Sequence, residues 1–276
     1  MSLSGPARAG TGHLSTAPVA RWDPERYGQF ADERSRPFFD LLAAVDGSPG
    51  TVVDLGCGPG TLTASLADRW PAARVVGIDN SPEMLARARV LEQPGRLEFR
   101  LGDLERWEAD GPVDLIVSNA ALQWVPRHRA LLPGLASQLT AGGTLAFQVP
   151  GNFAAPSHLV MAELCRTPRW RESLGDTIRD APVAEPMDYL GELQSAGLEP
   201  RVWETTYLHV LAGEQPVLDW LKGTALRPVL ARLDPDEQAA FCGELAPRLA
   251  EAYPGQAFGT VLPFRRIFAV GRRARP

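Results

Sequence analysis

Val52-Val-Asp-Leu-Gly-Cys-Gly-Pro-Gly60 is the stretch that most limits what this chain can become. A short β-forming run ends in glycines at every second position, and a helix-forming segment, Thr61–Arg69, follows at once. Glycine at such a junction lets the backbone turn sharply, adopt positive φ and approach a ligand closely. A strand, a glycine turn and a helix in that order begin a βαβ unit, which requires a parallel sheet and a right-handed crossover. Taken alone, the loop suits NAD, another nucleotide or only a tight turn. Its spacing is Gly-x-Gly-x-Gly, and Thr61 stands where a dinucleotide fingerprint has its third glycine.

The pattern then repeats. Thr51–Leu55 is the first strand and Arg74–Asp79 the second; Ser81, Pro82 and Glu83 cap and open the next helix. Leu97–Leu101 is a third strand. Val113–Ser118 is a fourth, apolar along its length like a strand covered on both faces. Ala130–Leu139 reads as helix, Ala141-Gly-Gly143 as a turn and Thr144–Val149 as a fifth strand. Ahead of the loop, residues 24–45 form a helix with Asp23 as cap, Pro24 in its first turn and Leu41, Leu42 and Val45 as its apolar face. Beyond the fifth strand, 151–179 is irregular or helical. Pro186–Ala196 is a helix ended by Gly197, Val202–Val210 alternates like a strand, 214–226 and 235–252 are helical with Asp234 capping the latter, and Phe264–Val270 is a last strand. The fold class is α/β, a doubly wound, mostly parallel seven-stranded sheet. Helical lid insertions around 152–196 and 213–253 would stand over its carboxyl edge, where open α/β sheets bind ligands. Residues 1–20, dominated by Gly, Ser, Ala, Thr and Pro, read as a disordered leader, leaving 21–276 as a single domain.

Composition narrows the function class. A chain of 276 residues suits one α/β domain with a sizeable insertion, or two small domains. A net charge of -5 argues against bulk nucleic-acid binding, which wants a basic surface. Cys57, Cys165 and Cys242 are odd in number and form no CxxC pair, so neither a disulfide framework nor a structural zinc is expected. There is no HExxH, and no metal site is expected. The apolar runs are too short to span a membrane, and no secretory signal is visible. A cytoplasmic enzyme is the expectation, with a monomer as the default.

The ends of the strands carry the sharper signal. Asp54 precedes the glycine loop. Asp79 ends the second strand, where an acid can hold ribose hydroxyls. Gly102-Asp103-Leu104 and Ser118-Asn119-Ala120 end the third and fourth. Each acid alone is an ordinary turn or cap residue. The four strand ends in register resemble the S-adenosylmethionine-dependent methyltransferases with a Rossmann-like sheet. That resemblance implies a loop lying under the methionine part of the cofactor, Asp79 at the ribose and Asp103 at the adenine. The implied cofactor contacts are Asp54, Gly56, Gly58, Gly60 and Asp79, together with Asn80, Met84, Asp103, Leu104 and Asn119. Trp22-Asp-Pro, Arg34-Ser-Arg-Pro37, Asn119-Ala-Ala-Leu-Gln-Trp124, Gln148-Val-Pro-Gly-Asn152, Trp203-Glu-Thr-Thr-Tyr207 with His209, and Pro263-Phe-Arg-Arg-Ile-Phe268 narrow it further. They are similar to the trans-aconitate 2-methyltransferase family, and the likeness runs from about residue 21 to 273. It implies esterification of a carboxylate of trans-aconitate, with S-adenosyl-L-homocysteine as the other product.

Such chemistry asks for little acid–base work. A carboxylate, with a reference pKa near ~4, is already a nucleophile at neutral pH, so no general base and no catalytic residue in that sense is expected. The protein must hold it in line with the methyl and exclude water. Arg suits the remaining carboxylates, because its fork grips one with two parallel hydrogen bonds. Candidate substrate residues are Tyr27, Arg34 and Arg36 ahead of the loop, Trp124 after the fourth strand, His158, Tyr207 with His209, and Arg266. Arg34 and Arg36 either meet a carboxylate or pair with Asp32 or Glu33. Trp124 either walls the methyl or packs, and His158 is a pocket residue or a surface or capping one. Tyr207 and His209 share a face of one strand. Arg265 and Arg266 point to opposite faces, so at most one reaches the pocket; Arg266 is the choice. Cys57 is a small packing residue. Two alternatives stay open: a methyltransferase for another small acid or biosynthetic intermediate, such as a malonyl carrier, and a non-catalytic cofactor-binding module. A nucleic-acid methyltransferase fits poorly, since Asn119-Ala-Ala-Leu replaces the Asn/Asp-Pro-Pro-aromatic pattern and the chain is acidic. The expected partner is a small anionic acid, with neither nucleic acid nor membrane.

Overall fold

The computed structural model describes residues 35–177 and 182–275. Strands form where β-branched and leucine residues run together. They are β1 (Thr51–Leu55), β2 (Arg74–Asp79), β3 (Leu97–Leu101), β4 (Val113–Asn119), β5 (Leu139–Pro150), β6 (Leu198–Leu211) and β7 (Thr260–Arg273). They make one sheet in the order β3-β2-β1-β4-β5-β7-β6. The first five are parallel, and β7 runs antiparallel between β5 and β6. Chain order reverses between β1 and β4, so the crevice at their carboxyl ends is where a ligand belongs in such a sheet.

Two helical layers cover the sheet. On one face, Phe38, Leu41 and Leu42 of α1 (Arg36–Ala43) and Leu66 of α2 (Thr61–Arg69) bury Val52, Val75, Leu115 and Val117. On the other, Leu132 and Leu135 of α4 (His128–Ser137) cover Val53, Ile116 and Phe147. The helix α3 (Pro82–Ala88) begins at Ser81, whose hydroxyl accepts from the Met84 N–H. A third apolar cluster is built by α5 (Pro156–Cys165), α6 (Arg171–Leu174), α8 (Pro216–Lys222), α9 (Arg227–Leu230) and α10 (Pro235–Ala252), together with Leu262 and Phe264 of β7.

Several boundaries differ from the sequence reading. Helix α7 (Pro186–Ser195) does not join the lid segment 152–196. Its Tyr189 and Leu193 are fully buried against the sheet beside Phe147 and Ile267, so it is part of the sheet's second layer. Strands β6 and β7 extend beyond Val202–Val210 and Phe264–Val270, because they pair with each other from Leu198↔Arg273 to Leu211↔Thr260. That pairing satisfies backbone groups whose side chains are too polar to signal a strand. β5 starts at Leu139 rather than Thr144, with a register shift against β4 between Val113 and Leu115. Within the segment 214–226 the helix α8 stops at Gly223, and the next helix, α9, begins only at Arg227. The leader 1–20 and the first part of the helix expected over 24–45 lie outside the described residues. No helix among the described residues is long and apolar enough to cross a membrane.

Candidate active site

The glycine loop shapes the carboxyl end of β1. Gly56, Gly58 and Gly60 take φ of +82°, +56° and +80°, a region that L side chains enter at a cost. At Gly56 there is a second constraint: a Cβ there would lie 2.2 Å from the Cβ of Ala121. At Gly60 it would lie 2.7 Å from the Phe99 ring. The Gly56 and Cys57 N–H groups both donate to the Ile78 carbonyl, at 2.8 and 3.0 Å. Asp79 then locks the turn, its two oxygens accepting from the Gly58 and Ser81 N–H groups at 2.9 Å each. Asp54, almost fully buried, accepts a 2.6 Å hydrogen bond from the Thr63 hydroxyl. Burial raises its carboxyl to about 7, Thr63 opposes the rise and the Asp79 charge adds to it. Burial pushes the Cys57 thiol up as well, so it stays protonated and packs, as a small core residue does.

The other strand ends complete this rim. Asp103 is exposed and accepts from the Glu105 N–H at 3.0 Å, while the neighbouring Leu104 is buried. Asn80 is exposed and Met84 half-buried on the first turn of α3. Asn119 ends β4, and its Oδ1 is buried without a hydrogen-bond partner among the described residues. Ala120 follows with φ +53°, a conformation shared by no other described non-glycine residue. Strain of this kind is held only where surrounding contacts require it. Here it turns the chain across Gly56 and into the short 3-10 turn Leu122–Trp124.

Beside this rim lies a cavity of about 550 Å3, the size of a small-molecule site. It is bounded by Gln123 and Trp124 of the turn, Asn152 and Phe153 after β5, and His158 of α5. Trp220 and Arg227 come from the α8–α9 region and Phe264 and Arg266 from β7. Arg266 is the decisive side chain. It is 7% exposed, its guanidinium stands 4.4 Å over the Phe264 ring, and it has no acid or hydrogen-bond partner among the described residues. Burial pulls it down to about 10, still a cation at neutral pH. Arg265, one position away, is spent on structure: its Nε donates to Glu204 at 3.0 Å and its Nη1 to Glu185 at 3.2 Å.

The remaining candidates divide. His158 is buried in the cavity wall, with the Ser157 hydroxyl 3.3 Å from Nδ1 and Phe153 edge-on at 5.4 Å. Burial holds it down at about 4, so it is neutral at physiological pH. Trp124, 55% exposed, stands at the rim. Tyr207 and His209 stack on one face at 6.3 Å, but neither is among the residues that line the cavity. The Tyr207 hydroxyl donates to Asp40 of α1 at 2.6 Å, and His209 touches the cavity wall from behind, through Trp220 at 4.8 Å and Phe264 at 5.8 Å. Arg36 lies 5.2 Å over the Tyr207 ring and 3.8 Å from Asp40, largely exposed. Among the described residues its ion-pair partner is Asp40; Asp32 and Glu33 lie outside them. Tyr27 and Arg34 lie outside the described residues. Gln123, Asn152 and Phe264 stood inside quoted motifs but, like Trp220, were not picked out as site residues from the sequence. A polar residue just past a strand end is the signal that could have found Asn152.

Comparison with known proteins gives the family. The family described as "Methyltransferase domain" matches residues 52–143, from β1 into β5. The trans-aconitate 2-methyltransferase of Streptomyces avermitilis is 53% identical over 265 residues, covering 93% of this chain and 98% of the relative. That of Rhodococcus jostii is 51% identical over 255 residues, covering 91% and 99%. The chain belongs to the trans-aconitate 2-methyltransferase family. Among solved structures, phosphoethanolamine N-methyltransferase 2 of Haemonchus contortus, in complex with S-adenosyl-L-methionine, superposes with a TM-score of 0.55 at 15% identity. The match covers 90% of this chain and 56% of that one. The plantazolicin methyltransferase BpumL gives 0.51 at 13% identity, covering 91% and 89%. At these identities both show the fold alone. For a trans-aconitate 2-methyltransferase family member, the rim has the right donors for a cationic, ribose-bearing cofactor. It offers a positive-φ glycine cradle, the Asp54 and Asp79 carboxylates and the orphaned Asn119 oxygen.

Proposed function

We propose that this chain is an S-adenosylmethionine-dependent carboxyl O-methyltransferase that converts trans-aconitate to its monomethyl ester, with S-adenosylhomocysteine as co-product. The observation that carries the reading is Arg266: a buried guanidinium without an acid of its own, facing a cavity next to the glycine cradle. A charge so placed is costly unless a counter-charge arrives. A polycarboxylate supplies one, and the guanidinium can take a carboxylate with two parallel hydrogen bonds.

When bound, S-adenosylmethionine supplies a methyl group on a sulfonium: an ionised carboxylate oxygen bonds to it while the S–C bond breaks with its electron pair on sulfur. No proton moves. Gly56, Gly58, Gly60, Asp54, Asp79 and Asn119 would hold the donor, with Asn80, Met84, Asp103 and Leu104 along the same strand ends. Arg266 would anchor carboxylates that do not react. His158, neutral through burial, adds a hydrogen-bonding wall without drawing the acid into an ion pair. Trp124, Phe153 and Phe264 exclude water, which strengthens each charge interaction inside. Arg36, Tyr207 and His209 support this wall through α1 and Trp220. The proposed setting is the cytoplasm, with the protein acting as a monomer on a small acid and not on nucleic acid.

The test is methyl transfer from labelled S-adenosylmethionine to trans-aconitate, cis-aconitate, citrate, isocitrate and a malonyl thioester. Saturable transfer to trans-aconitate well above the others supports the reading. Preference for the malonyl thioester, or cofactor binding with no ester from any acid, contradicts it.

A further inference from the structure

Gln148 is an anomaly in β5. It sits between Phe147 and Val149, is 0% exposed, and neither its Oε1 nor its Nε2 has a hydrogen-bond partner among the described residues. A fully buried amide without partners is expensive, and a valine or leucine would serve the strand better. Its neighbour across the ladder, Asn119, has the same defect at Oδ1.

The register shows what the amide faces. Asn119 pairs with Gln148, Gln148 with Phe268, and Pro150 with Arg266. Paired and alternate positions share a face. Asn119, Gln148 and Arg266 therefore lie on one face at the carboxyl ends of β4, β5 and β7. Asp54 and Asp79 lie on that face too, in step with Val52 and Val75 of the same core layer. Across the sheet, β1-β4-β5-β7, the order is cofactor cradle, Asn119, Gln148, Arg266. Gln148 does not itself line the cavity; Pro150, two positions along the same face of β5, does, beside its partner Arg266. Adjacent strands stand about 5 Å apart, so an acid held by Arg266 lies about one strand spacing from β5 and its amide.

We infer that Gln148 holds the reacting carboxylate in line with the methyl, while Arg266 holds the carboxylates that stay. The inference rests on the function proposed above. A neutral amide suits this post. It orients one carboxylate oxygen with a single N–H, leaving the lone pair that forms the O–CH3 bond. A guanidinium there would grip both oxygens and hold them as an ion pair. The S–CH3 bond breaks with its pair on sulfur and no proton is exchanged, so a group that never titrates is sufficient.

Gln148→Met separates this role from a structural one. It keeps the length, removes both hydrogen-bonding atoms and relieves the unsatisfied amide. In ligand-free protein its Tm should equal or exceed that of the wild type. By calorimetry, S-adenosylhomocysteine affinity should stay within about twofold. On the acid that the wild type esterifies best in the panel, kcat should fall about tenfold or more, as misalignment of a bound nucleophile does. Gln148→Glu, which sets a like charge against the acid, should raise KM steeply. A Gln148→Met protein that turns over within about twofold of the wild type, or that loses Tm and cofactor affinity together, overturns the role of Gln148. A wild type that esterifies none of the acids overturns the function on which it rests. A wild type that prefers an acid other than trans-aconitate overturns only the substrate, and the Gln148 comparison is then read on that acid.

Discussion

Arg266 and Arg265 show how one position on a strand decides between chemistry and structure. Alternation alone says that only one of them can face the pocket, yet both line the cavity. What separates them is their partners: Glu185 and Glu204 claim Arg265, and no acid among the described residues claims Arg266. Asp54 offers a separate check at this scale. Its folded carboxyl titrates at about 7, whereas an unfolded aspartate titrates near ~4. The folded protein therefore binds more protons between those values. The associated stability is fully present below pH ~4 and is lost as pH rises toward about 7. His158 has the opposite sign: held at about 4, it costs stability as pH falls below its unfolded value of ~6.5. Asp54→Asn removes only the first effect. Its urea midpoint should fall less between pH 5 and pH 8 than that of the wild type, and an equal fall in both proteins would assign the dependence elsewhere.

Among the elements, the strand–glycine–helix unit was legible because its signals are local. Apolar runs, glycine spacing and the Ser81 and Asp234 caps each act within one turn of chain. Gly56→Ala should cost about 3 kcal/mol, from positive φ plus overpacking against Ala121, measured by denaturant unfolding, and should weaken S-adenosylhomocysteine binding. What the sequence did not reveal depends on distant partners. β6 and β7 lengthen each other through pairing, and α7 is drawn to the sheet by Tyr189, whose hydroxyl lies 2.7 Å from His128 Nε2 of α4. Gln148 was visible as part of a motif but not as a buried amide, because an orphaned atom exists only in three dimensions. Tyr207 was read as a substrate residue, and the structure joins it to α1 through Asp40. Tyr207→Phe should therefore lower stability by about 1 kcal/mol while moving the KM for the acid less than about threefold. A large KM change would return Tyr207 to the pocket.

For the whole molecule, the division of labour follows the sheet order. In the proposed function, parallel strands up to β5 would carry the cofactor, and the antiparallel β7 with the helices packed on it would supply the wall that meets the acid. That wall has its own apolar core, in which Phe241 and Leu245 of α10 are fully buried. Leu245→Ala should cost about 3 kcal/mol and raise the KM for the acid, with cofactor affinity unchanged in a calorimetric titration. The most direct test of the account is Arg266→Met, compared with the wild type in initial-rate kinetics on trans-aconitate and in calorimetry with S-adenosylhomocysteine. The expected result is a kcat/KM lower by about a hundredfold, the scale of a lost buried charge contact, with cofactor affinity unchanged and thermal stability equal or higher. Unchanged kcat/KM in a folded, cofactor-binding Arg266→Met protein would contradict it.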